Sequence, residues 1–71
     1  MMNEPTVHIR FEGRSVDLPM RSLDLGPASA DVHVFEALAR HFDISARRFQ
    51  GYVVERHANG NITVRPEAVF G

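Results

Sequence analysis

Thr6-Val7-His8-Ile9-Arg10-Phe11-Glu12 alternates strictly between apolar and polar side chains. That is the period of a strand with one buried face. A second alternating run, one helical stripe and two more β-rich runs follow it. This ββαββ order constrains the fold more than any other feature. In the first run Val7, Ile9 and Phe11 take one side, and Thr6, His8, Arg10 and Glu12 the other. Gly13-Arg14 reads as a tight hairpin turn, with glycine supplying positive φ. Ser15 to Met20 alternates again, with Val16, Leu18 and Met20 inward. Pro19 cannot donate to a ladder, which assigns this strand to a sheet edge. The phase then shifts to Leu23 and Leu25, as a bulge or bend near Arg21-Ser22 would cause.

Gly26-Pro27 breaks the chain. The spacing of Val34, Phe35, Leu38 and Phe42 predicts an amphipathic helix over Asp31–Phe42. His33, Glu36 and Arg40 lie on its opposite face. Ser29 or Asp31 is the expected cap. Asp43-Ile44-Ser45 ends the helix, and Ser45 to Phe49 reads as one further helical turn. Tyr52 to His57 is β-rich, with Tyr52 and Val54 inward. Asn59-Gly60 is a strong hairpin signal, and Ile62 and Val64 point inward on a last strand that Pro66 terminates. Pro66 to Gly71 follows as a tail. A single helix covers only one sheet face. The expectation is therefore an α+β, two-layer ββαββ domain spanning 1–71, with one helix packed on a four-stranded mixed sheet. The expected core is Ile9, Phe11, Leu18, Phe35, Leu38, Phe42, Val54 and Val64.

With 71 residues and no cysteine, neither a disulfide nor a thiolate metal site staples the fold. Met1 to Pro5 carries none of the zones of a signal peptide, and no apolar run approaches the roughly 20 residues of a membrane span. The expected location is cytoplasmic, with no membrane partner. Net charge is −1 with the signs interspersed, so nucleic-acid binding is not expected. All eight basic residues are arginine, which excludes Schiff-base chemistry at a lysine.

No catalytic or metal motif emerges. His8 and His57 sit on strands, and His33 and His41 are eight apart on the helix, so nothing converges as zinc requires. Asp17, Asp24, Glu36 and Glu55 are not spaced as a carboxylate pair. Ser15, Ser22, Ser29 and Ser45 lack a nucleophile-elbow context. There is no glycine-rich phosphate loop. The expectation is a non-enzyme with no cofactor. Arg40, Arg47 and Arg48 cluster at the helix end; favourable interaction with the negative helix terminus explains them better than an anion or RNA contact. On the open side of the sheet, His8, Arg10, Glu55, Thr63 and Arg65 form a polar candidate partner face.

The Gly13 turn, the Asp31–Phe42 helix, the Asn59-Gly60 turn and the final Gly71 together resemble the ubiquitin-like β-grasp. That superfamily includes the small sulfur carriers of thiamine and molybdopterin biosynthesis. The resemblance is architectural and covers nearly the whole chain. It implies that the first and last strands are central and parallel. It also implies that an activating-type adenylating enzyme is the protein partner, and that Gly71 is the carrier or conjugation terminus. The chain departs from that pattern by ending in Phe70-Gly71 in place of two glycines. The open sheet face also lacks the apolar patch through which ubiquitin is read. The alternative expectation is a stand-alone protein-interaction or regulatory domain without C-terminal chemistry. The tail separates the two. A carrier presents Gly71 on a mobile arm, whereas a structural tail is pinned by Phe70. The sequence leans to the pinned form, because an exposed phenylalanine gains nothing in water.

Overall fold

The computed structural model describes residues 4–67. Four strands, β1 (Thr6–Phe11), β2 (Arg14–Pro19), β3 (Tyr52–Arg56) and β4 (Ile62–Pro66), form one sheet in the order β2-β1-β4-β3. β1 and β4 are central and parallel, while β2 and β3 run antiparallel at the edges. A single helix, α1 (Asp31–Phe42), packs on one face. The α+β, two-layer expectation holds.

The β1–β2 hairpin turns one residue earlier than the sequence reading placed it. Its two turn residues are Glu12 (φ 52°) and Gly13 (φ 77°), and Arg14 already belongs to β2. Two successive positive φ values define the turn whose twist matches that of the strands. The register pairs Phe11 with Arg14, Ile9 with Val16 and Val7 with Leu18. Val7, Ile9, Ile62 and Val64 are fully buried under the helix. After Pro19 the chain closes a 3₁₀ turn, Met20–Leu23, which accounts for the phase shift near Arg21 and buries both Met20 and Leu23.

Neither expected residue caps α1. Ala30 occupies the cap position and has no side chain to accept a backbone N–H. Ser29 is taken up by its own loop, its Oγ accepting from the Gly26 N–H at 2.9 Å. Asp31 sits in the first turn, where the helix dipole favours a negative charge. Its carboxylate pairs with the Arg56 guanidinium at 2.8 Å, and Arg56 also donates to the Ser29 carbonyl at 2.5 Å. One arginine of β3 thus ties the sheet to the start of the helix. At the other end Asp43 adopts the left-handed conformation (φ 56°), and the Ile44 N–H returns to the Ala39 carbonyl. The further turn is a 3₁₀ segment, Ala46–Phe49, started by Ser45 Oγ accepting from Arg47 N–H.

The core is wider than the expected list. Ile9, Leu38 and Val64 are fully buried, whereas Phe11, Leu18, Phe35, Phe42 and Val54 are half-buried around them. Phe49 anchors an aromatic cluster at one end. Its ring centroid lies 5.3 Å from Phe11, 5.7 Å from Phe35 and 5.3 Å from Tyr52. Arg48 lies over the Phe11 ring at 5.4 Å and pairs with Glu12. Within the helical cluster Arg40, Arg47 and Arg48, Arg48 therefore faces a carboxylate and an aromatic ring.

Pro66 ends β4 as its last residue, not as the first residue of a tail, and the Glu67 N–H still donates to the Gly51 carbonyl at 2.8 Å. The sheet tolerates this proline for a geometric reason. Glu67 N–H to Gly51 O and His57 N–H to Asn61 O set which residues of β4 turn their backbone groups toward β3. They are the odd-numbered ones, so the nitrogen of Pro66 faces β1. The β1–β4 ladder has by then ended, at Ile9–Val64.

Candidate partner face

Period two places one set of side chains from every strand on the sheet face that α1 does not cover. The register aligns them in rows. Asp17, His8, Thr63 and Glu55 cross the sheet in one row, His8 opposing Asp17 and Thr63, and Thr63 opposing Glu55. The next row holds Ser15 opposite Arg10 and Arg65 opposite Val53. All five residues expected on a polar face, His8, Arg10, Glu55, Thr63 and Arg65, therefore come together on it.

Side-chain bonds order this surface. His8 Nδ1 lies 2.5 Å from Asp17 Oδ1, and His57 Nε2 lies 2.8 Å from Thr63 Oγ1. Arg65 Nε donates to Glu55 Oε1 at 2.6 Å, and its NH1 donates to the Pro66 carbonyl at 3.2 Å. That hydrogen bond from Arg65 is the main reason the Glu55 carboxyl is held below its ordinary value; partial desolvation opposes it. The same bond raises the Arg65 guanidinium further above its usual range. Arg10 is exposed and carries no ion pair among the described residues.

Sequence reasoning missed Asp17, Val53 and His57 as members of this face. The signal was present, since Val53 and His57 lie two residues to either side of Glu55, Val53 within β3 and His57 just beyond its end. Asp17 lies between Val16 and Leu18, so the alternation already turned it outward, and only its pairing with His8 required the hairpin register.

Beyond Ile9 and Val64 the central strands part. A cleft of about 320 Å³ opens there, lined by Arg10, Glu12, Gly13, Arg65, Pro66 and Glu67. Glu67, the last described residue, stands on its rim. Gly71 and the tail side chains Val69 and Phe70 lie outside the described residues, as does the choice between a pinned and a mobile tail.

Among the described residues no polar or charged side chain is buried, and no three of His, Cys, Asp and Glu gather as metal ligands would. None of the described helices is long and apolar enough to cross a membrane. No protein-family model, curated protein or solved structure matches this chain.

Proposed function

We propose that this is a small non-enzymatic protein of the ubiquitin-like β-grasp type, acting through a protein partner that docks on the open sheet face. The observation that carries the reading is the face itself. It presents polar side chains from four strands, many of them bonded to one another, on a domain whose fully buried apolar side chains lie on the opposite layer. The β2-β1-β4-β3 order, with β1 and β4 parallel at the centre, supports the β-grasp assignment.

The sharper form of the proposal makes the protein a carrier or modifier charged at Gly71 by an adenylating enzyme. The cleft between Arg10 and Arg65 lies where the chain leaves β4, so a partner seated on the face would also meet Pro66 and Glu67. The alternative is an interaction or regulatory domain with no chemistry at its terminus. An RNA-contacting role is weaker, because Arg48 is already engaged by Glu12 and Phe11.

Two measurements test these readings. Cross-linking in cell extract, read by mass spectrometry, is run with wild type, with an Arg10→Glu/Arg65→Glu variant and with an Arg40→Glu variant. A partner retained by wild type and Arg40→Glu but lost by the face variant supports docking on the sheet. Equal retention by all three removes the face from the proposal. The intact mass of protein recovered from its own cells then decides the carrier form. A C-terminal thiocarboxylate or conjugate supports it, and an unmodified terminus under every growth condition leaves the interaction domain.

A further inference from the structure

The two edges of the sheet differ in how well they are guarded. Met20 N–H donates to the Pro5 carbonyl, and Phe11 faces Arg14 across the two-residue turn. Even-numbered residues of β2 therefore direct their backbone groups to β1, and Ser15, Asp17 and Pro19 direct theirs outward. Pro19 has no N–H to offer, and a second copy centred on Asp17 would set two carboxylates face to face. Proline and inward-turned charge are the usual protections of a sheet edge.

The β3 edge has no proline, and its one inward-set charge, Arg56, stands at the end of the strand already paired with Asp31. The bonds from His57 N–H to Asn61 O and from Glu67 N–H to Gly51 O show that odd-numbered residues of β3 face β4. Tyr52, Val54 and Arg56 accordingly point their N–H and C=O groups away from the sheet. No backbone bond to these three amides forms among the described residues beyond the sheet ladder. Native proteins seldom leave such a row of donors and acceptors open, since it templates further strand pairing.

The helix flank beside this edge is apolar. Phe49 contacts both Phe35 and Tyr52, and Asp31 pairs with Arg56. Residues 31–35 of α1 therefore run alongside residues 56–52 of β3. Val32 lies on that flank one turn before Phe35. It is 58% exposed and is the one exposed large hydrophobic residue among those described.

We propose that β3 pairs with β3 of a second copy of this chain, antiparallel about a two-fold axis at Val54, to give a continuous eight-stranded sheet. The register favours a copy of the same chain. Val54 faces Val54 of the partner subunit, Tyr52 faces Arg56 of the partner subunit, and Val53 faces Glu55 of the partner subunit. No like charges oppose one another, and the outward groups of Tyr52, Val54 and Arg56 all find partners. The two Val32–Phe35 flanks approach beneath the joined strands. Closed two-fold contacts of this isologous kind are the commonest in soluble homo-oligomers. Because one strand and one helix flank form a smaller contact than a standard interface, the dimer is a weak one.

Sedimentation equilibrium from micromolar to about millimolar concentration tests this, with a dissociation constant expected on the order of 100 µM. The mass average of wild type should climb from that of the monomer toward twice that value. Val54→Pro should remain monomeric with an intact fold. The N–H it removes points away from β4, and proline is tolerated at such edge positions. Val54→Arg, which places like charges on the axis, should also remain monomeric. If Val54→Pro does not fold, Val54→Arg decides alone. A wild type that stays monomeric throughout the range, or variants that dimerise as wild type does, would overturn the proposal.

Discussion

The two faces of this sheet are built from the same four strands and are held in order by different physics. On the covered face Val7, Ile9, Ile62 and Val64 meet Val34, Ala37 and Leu38, all of them buried. Their contribution comes from apolar area removed from water, and it is collective. On the open face Asp17, His8, Thr63, His57, Glu55 and Arg65 are linked by individual side-chain bonds in contact with solvent. Such exposed pairs contribute little to stability. One face therefore determines whether the chain folds, and the other is free to determine what it meets. A surface that contributes little to folding is one whose residues can be chosen for a partner.

The comparison is broken most directly from the covered side. Leu38 is fully buried at the middle of α1, so Leu38→Ala should destabilise by roughly 2–5 kcal/mol through lost transfer energy and the cavity left behind. In a domain this small that approaches the whole stability, and a partly unfolded protein at room temperature is the expected result. Urea denaturation followed by circular dichroism measures it. His8→Ala on the open face should stay within about 0.5 kcal/mol of wild type in the same assay. Comparable losses from the two changes would erase the distinction between the faces.

The faces were not equally legible in the sequence. Alternation in Thr6–Phe11 and in Ile62–Val64 named the inward residues directly, and the stripe Val34, Phe35, Leu38, Phe42 named the helix. Those patterns are local, and local periodicity survives without any knowledge of neighbours. The edge position of β2 was legible for the same reason, through Pro19. What failed depended on three-dimensional competition. Ser29 looked like a cap, but its hydroxyl is taken by Gly26 N–H within its own loop. Asp31 looked like a cap, but sits one residue into the helix and pairs with Arg56, twenty-five positions away. The hairpin turn fell one residue early because Glu12 accepts positive φ, a conformation in which glutamate is uncommon. The membership of the open face was half legible. Its strand periodicity was visible, but the side-chain bonds that join Asp17 to His8 and His57 to Thr63 follow only once register is known.

Arg56 lies between the two regimes, since it belongs to the inward set of β3 yet remains exposed at the edge. Its guanidinium bridges Asp31 and the Ser29 carbonyl. Arg56→Met keeps most of the aliphatic stem and removes both polar contacts. The expected loss is about 0.5–1 kcal/mol, the upper part of the range for exposed ion pairs. Amide exchange should accelerate at His33 and Val34, whose N–H groups bond the Ala30 carbonyl at the start of α1. If exchange rises equally along the whole helix, the bridge is not a local anchor, and the sheet–helix junction is held by apolar packing alone.

The smallest effect is expected on the open face, and it sharpens the comparison because it should be visible in titration and nearly invisible in melting. Arg65 Nε–H bonds Glu55 Oε1, and that bond holds the Glu55 carboxyl below the ordinary value of 4.5. A carboxyl whose folded value is depressed stabilises the folded state above its unfolded value. That contribution fades as pH falls from about 4.5 through the lower folded value. Arg65→Gln removes both the charge and the guanidinium donor. The Glu55 titration midpoint, followed by carbon NMR of the side-chain carboxyl, should then rise toward 4.5. Near neutral pH the melting temperature should barely move, since both groups are solvent-exposed and water screens the pair. On the acid side the variant should lose less stability than wild type as pH falls below 4.5, because it no longer has that contribution to lose. A Glu55 midpoint unchanged by Arg65→Gln would mean that the row is not ordered by this bond in solution. A large drop in melting temperature at neutral pH would mean that Arg65 belongs to the folding machinery, and the open face would then no longer be free of the fold.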